Sequence, residues 1–140
     1  MATTILALLT WTTRDREALI GASGATFLRQ FLPHAARRVG AQVLATGVVQ
    51  NHVHLLLRLG AVVDIPTLVQ RLKGASARIA NRDGVMGATR LRWAKGYDIR
   101  SVSLRALLAA RAYLARQEDR HPSLAIAVGA SHGGPGPDAS

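Results

Sequence analysis

Two histidines stand one residue apart in the run QNHVHLLLR, residues 50–58. On a β-strand successive side chains point to opposite faces, so His52 and His54 share a face with Leu56 and Arg58, while Val53, Leu55, Leu57 and Leu59 take the other. One face of such a strand can be core while the other presents two imidazoles, which is a common beginning of a metal site. Alternate histidines hydrogen-bonded to neighbours without any metal are the competing reading. A second pair, Tyr113 and Gln117, lies four residues apart in a helical stretch, so the two side chains sit one above the other. Tyr113 is bordered by Arg116 and Arg120, a setting that suits contact with a phosphate. An amphipathic tyrosine at an interface and a solvated glutamine fit the same spacing. The chain has no cysteine, which excludes disulfides, thiolate ligation and thiol chemistry; any metal must be held by histidine, carboxylate or amide groups.

The composition points to the partner. Eighteen Lys and Arg against eight Asp and Glu leave a formal charge of +10, nearly all of it arginine. Guanidinium groups pair bidentately with phosphates and gain from counterion release, so a polyanion is the natural partner; an arginine-rich proteome is the bland alternative. With 140 residues and 49% hydrophobic content, the chain has room for a single domain with its own core. The apolar start MATTILALLTWTT lacks a basic leader and is far shorter than the ~20 apolar residues of a membrane span. It reads as a buried first strand of a cytoplasmic protein, with no membrane partner.

The elements that must position these residues follow from periodicity. Residues 3–13 suit a strand, and GASG a loop. Phe27, Leu28, Phe31, Leu32 and Ala35 recur at helical spacing over residues 25–39, with Pro33 as a blemish and Gly40 as a stop. Residues 41–49 form a strand, and Gln50-Asn51 a turn into the histidine strand, which runs to Leu59. Asp64 can cap a helix from about Pro66 to Asn81, along which Arg71, Arg78 and Arg82 form a stripe; such a stripe is either a solvated flank or a binding surface. After a loop at DGVMG comes the extended LRWAKGYDIR. Ser103 then caps a last helix from about Leu104 to Asp119, with Leu104, Leu107, Leu108, Ala112, Leu114 and Ala115 on its apolar side and Tyr113 and Gln117 opposite. This order predicts an α/β class, an α+β sandwich of ferredoxin-like or RNA-recognition type with a mainly antiparallel sheet. The folded domain is expected over residues 1–128, and the Gly/Pro-rich residues 129–140 as a disordered tail.

NHVHLLL on a strand, LKG at residues 72–74 on a helix, WAKGY ahead of SVS, and finally YLARQEDRH together resemble the small single-strand transposases of bacterial insertion sequences. These are the tyrosine HUH family, which includes the REP-associated tyrosine transposases. The resemblance spans roughly residues 3–122. It departs from the family's pattern at Val49-Gln50, where Met-Pro is common, and at Arg120-His121, where paired histidines are frequent. It implies that Tyr113 is the nucleophile and that His52, His54 and Gln117 hold a divalent ion, Mg²⁺ or Mn²⁺. It also implies a homodimer, commonly with the tyrosine helix of one subunit completing the site of the other, acting on hairpin-bearing single-stranded DNA without a nucleotide cofactor.

This residue set suits the implied chemistry. A phosphodiester repels nucleophiles and has a poor alkoxide leaving group; a bound cation eases both difficulties. A phenol with a free pKa near ~10 attacks once relieved of its proton. The product is a 5′-phosphotyrosine that conserves bond energy, so a 3′ hydroxyl can rejoin strands by attacking it. Arg71, Arg78, Arg82, Arg92, Lys95 and Arg116 are candidates for contacting DNA. Trp93 or Tyr97 would either stack on an unpaired base or hold the loop as core residues. A non-catalytic nucleic-acid-binding module on the same fold is the alternative reading. A metal-dependent hydrolase is the weakest, because no carboxylate stands near the histidines in sequence.

Overall fold

The computed structural model describes residues 5–120, with side chains through Arg116. Seven regular elements run in the order β1 (Ile5–Thr12), α1 (Ala22–Arg37), β2 (Ala41–Val49), β3 (His52–Leu59), α2 (Ile65–Asp83), β4 (Asp98–Ser101) and α3 (Leu107–Arg120). The strands form one antiparallel sheet in the order β2-β3-β1-β4. The first six elements are therefore a ferredoxin-like βαββαβ unit, and α3 is an addition to it. The expected domain boundary at 128 and the tail at 129–140 lie outside the described residues.

The period-2 pattern sorts the sheet into two unlike faces. Ala7, Leu9 and Trp11 of β1, Val48 of β2 and Val53, Leu55, Leu57 and Leu59 of β3 meet Leu28, Leu32, Leu68 and Leu72 of α1 and α2 in the main core. Each fully buried leucine there stabilises the fold by roughly 1.5–3 kcal/mol. The opposite face carries Thr10 and Thr12 of β1 and His52, His54 and Leu56 of β3, placed together by a register that sets Thr10 against His54 and Thr12 against His52.

Helix α3 packs on this second face, across β2 and β3. Gly47, the partner of His54 in the ladder, makes the approach close. A Cβ at that position would stand 3.6 Å from the backbone carbonyl oxygen and from Cδ2 of Leu114. Helix backbone rests almost directly on strand backbone.

Three local expectations need correcting. GASG is not a loop: α1 begins at Ala22 behind a Gly21 N-cap. Asp64 does stand at the N-cap of α2, but its side chain makes no cap hydrogen bond and instead accepts the Thr67 hydroxyl. Ser103 does accept the Ala106 N–H at 3.1 Å, yet the regular helix starts only at Leu107. The apolar side predicted for α3 is also split. Leu114 is buried, but Leu104 and Leu108 are 77% and 76% exposed. The sheet covers the edge of the helix that includes Leu114, not the centre of the leucine cluster, and so Tyr113, next to Leu114, lies at the margin of the covered side.

Candidate active site

The turn at Gln50 and Asn51 starts β3 so that both imidazoles leave the sheet on the α3 side. Their rings are 4.8 Å apart between centroids and nearly perpendicular, at 87°. The Tyr113 ring, 38% exposed, stands 6.2 Å from His54, also edge to face at 83°. His52, His54 and Tyr113 are thus neighbours within one chain. Gln117 follows one helical turn after Tyr113 on α3; its side chain lies outside the described residues, as does His121.

Each histidine is held at Nδ1. In His52 that atom bonds Asn51 Oδ1 at 2.7 Å, and Asn51 Nδ2 donates to the Arg16 carbonyl at 3.3 Å. An amide whose nitrogen faces a carbonyl must turn its oxygen to the imidazole, so His52 carries a proton on Nδ1 and donates it to Asn51 Oδ1. Arg16 has a φ of 56°, in the left-handed region that side chains rarely adopt, and this sets the direction of the carbonyl that Asn51 reads. In His54, Nδ1 bonds Thr10 Oγ1 at 2.9 Å. His54 is buried, and its Nε2 has no hydrogen-bond partner among the described residues, a condition shared only with Trp11 Nε1. Burial, reinforced by the charge His52 would carry, lowers the His54 pKa to about 4, so the imidazole is neutral at pH 7.

A buried, neutral imidazole with an unpartnered ring nitrogen fits metal ligation. Among the described residues no group of three or more His, Cys, Asp or Glu side chains gathers to hold an ion. Two imidazoles therefore need a donor of another kind, such as an amide or a phosphate oxygen.

The remaining candidates divide by location. Arg71, Arg78 and Arg82 are exposed on α2, across the sheet from the histidines. Arg82 is bonded to Asp83 at 2.8 Å, which draws that carboxyl below its usual range. Arg92 and Lys95 are exposed in the segment before β4, which is joined to the His52 end of the sheet by the Thr13–Trp93 bridge; Arg92 lies 3.4 Å from Glu17. Arg116 is exposed three residues beyond Tyr113. Trp93 is a structural residue: its Nε1 donates to Ser76 Oγ at 3.0 Å and its ring meets Trp11 edge to face at 5.6 Å. Lys73 of the LKG stretch donates to the carbonyls of Ala94 and Gly96, at 2.6 and 2.9 Å, and fixes the same segment; burial lowers its pKa. Tyr97 is 40% exposed and lines an open groove with Pro66, Val69 and Lys73. Sequence reasoning took Asn51 only as a turn residue and missed Thr10 and Gly47.

The sequence matches the family described as "Transposase IS200 like" over residues 2–117. The chain belongs to this family. It is 37% identical over 70 residues to the ISDra2 transposase TnpA of Deinococcus radiodurans, a match spanning 50% of each chain. The chain thus aligns with about half the length of this curated relative. Among solved structures, a protein assigned as a transposase of D. radiodurans R1 superposes with a TM-score of 0.65 at 27% identity, covering 84% of this chain and 93% of the other. A REP-associated tyrosine transposase bound to a REP hairpin gives the same TM-score at 14% identity, covering 84% and 68%, and shows the shared fold. This member of the IS200-like family therefore carries its histidine pair and its α3 tyrosine on one face of the fold common to these proteins.

Proposed function

We propose that this transposase cuts and rejoins single-stranded DNA at hairpin-flanked ends through a 5′-phosphotyrosine intermediate, with Tyr113 as nucleophile. One observation carries the reading: the phenol ring lies 6.2 Å from the ring of a buried histidine whose Nε2 has no hydrogen-bond partner among the described residues. His52 and His54 would hold a divalent ion, Mg²⁺ or Mn²⁺, with Gln117 one turn beyond the tyrosine as the third protein ligand. Two imidazoles and an amide form a neutral, weak set for a hard ion, leaving positions for phosphate oxygen and water. When bound, the ion supplies charge neutralisation at the scissile phosphate. Tyr113 supplies the attacking oxygen: its Oη bonds to phosphorus as the 3′ oxygen departs, and the phenolic proton passes to water. Arg116, exposed three residues beyond Tyr113, is a candidate contact for the DNA backbone. The reverse attack by a 3′ hydroxyl restores the tyrosine and needs no nucleotide.

Hairpin recognition comes to this chain from likeness of fold to the hairpin-bound transposase, supported by the basic surface of α2 and the segment before β4. A homodimer is part of the same reading. The intrachain nearness of Tyr113 and His54 supports a site assembled within one subunit.

The test is incubation with Mn²⁺ and a pool of hairpin-bearing single-stranded oligonucleotides, followed by a denaturing gel. A covalent adduct is expected, absent in Tyr113→Phe and in EDTA. Tight binding with no adduct on any substrate would instead favour the non-catalytic module.

A further inference from the structure

Thr10 is a polar interruption in the strand ILALLTWT, on the face shared with the histidines. Its hydroxyl is 2.9 Å from His54 Nδ1. A hydroxyl can either donate to a bare Nδ1 or accept from Nδ1–H, and the two cases leave opposite forms of Nε2. Resting on the reading that His54 ligates the cation, we infer that Thr10 is a positioning residue, its oxygen accepting the Nδ1–H of His54 and so leaving a lone pair on Nε2.

Three observations fix that direction. First, Nε2 of His54 is buried with no hydrogen-bond partner among the described residues. A proton there would be an orphaned buried N–H donor, whereas a lone pair is ready for a ligand. Second, Asp98 stands opposite Thr10 in the β1–β4 register, on the same face. A carboxylate opposite Thr10 offers an acceptor towards which the Thr10 hydroxyl proton can turn. Asp98 shares its charge with Arg100 at 3.0 Å, so Thr10, not Asp98, is the group in contact with the imidazole. Third, the neighbouring His52 likewise presents an Nδ1–H to a side-chain oxygen, that of Asn51. Two different side chains, one local and one from the adjacent strand, thus stand at the Nδ1 atoms of the two imidazoles. Free imidazole side chains prefer the proton on Nε2, so without an acceptor at Nδ1 the equilibrium would run the wrong way for ligation through Nε2.

The experiment is ¹⁵N NMR of the histidine rings in the metal-free protein at pH 7, together with Mn²⁺ titration. Wild type is expected to show His54 protonated at Nδ1 and bare at Nε2. Thr10→Val, which keeps the shape, should move the proton to Nε2 and weaken Mn²⁺ by about 10–100-fold. Thr10→Ser should restore both. A wild-type ring protonated at Nε2 overturns the inference and needs no variant to show it. So does a Thr10→Val protein that keeps the Nδ1–H form. A wild type with the inferred tautomer but no Mn²⁺ binding would count against the metal reading of the site and leave the assignment of Thr10 supported.

Discussion

His54 joins two demands that ordinarily conflict. It must be buried to stand between sheet and helix, and it keeps a ring nitrogen without a hydrogen-bond partner among the described residues. Burial settles its charge: the folded pKa is about 4 against 6.5 for the exposed side chain. Because the folded pKa is depressed, the unfolded chain takes up a proton first as pH falls. Stability should therefore be constant above about pH 6.5 and decline between 6.5 and 4, by up to about 3 kcal/mol in all. Urea unfolding at pH 7.5 and pH 5, in wild type and in His54→Leu, measures this; the variant should lose less on acidification. The pair of histidines was legible in the sequence, because alternation alone puts both on one face. Thr10 was not, since its partner is 44 positions away and only the β1–β3 register brings the two together.

At the scale of elements, the site depends on how closely α3 lies on β2. Gly47 permits that approach, and the distances grade the substitutions. An alanine Cβ would make ordinary contacts of 3.6 Å with Leu114 and 3.8 Å with His54 Cβ, so Gly47→Ala should fold and form adduct near wild-type levels. Gly47→Val adds two methyls against the Leu114 side chain and carbonyl and His54 Cβ, and should cost about 1–3 kcal/mol by overpacking. It should raise amide exchange across residues 107–116 and reduce adduct yield more than DNA affinity. Hydrogen exchange and the gel assay read the two effects separately. The β2–β3 hairpin and the span of α2 were readable because turn residues and periodicity agree there. The orientation of α3 was not. A helical wheel groups Leu104, Leu108 and Leu114 by angle, but only the docked sheet decides that Leu114 is covered while the other two face solvent.

For the whole molecule, the charge of +10 is spread over both layers. The α2 arginines lie on the layer away from Tyr113, so on the proposed reading they would hold DNA away from the phosphate to be cut. Replacing Arg71 and Arg78 together by Gln should weaken DNA binding in every sequence and flatten the plot of log affinity against log salt by roughly 0.7–0.9 per lost phosphate contact. Adduct formation at saturating DNA should be unchanged. Fluorescence anisotropy at several salt concentrations gives the slope, and an unaltered slope would remove α2 from the binding surface.

The sheet is also a partition. Histidines and tyrosine occupy one side and the α2 arginines the other, with a strand layer and a helix layer between them, roughly 20 Å in depth. A nucleic acid that engages both must travel around a rim, at β2 or at β4. The unpaired spacer between a clasped stem and the phosphate offered to Tyr113 then has a shortest workable length, and the protein would act as a ruler for it.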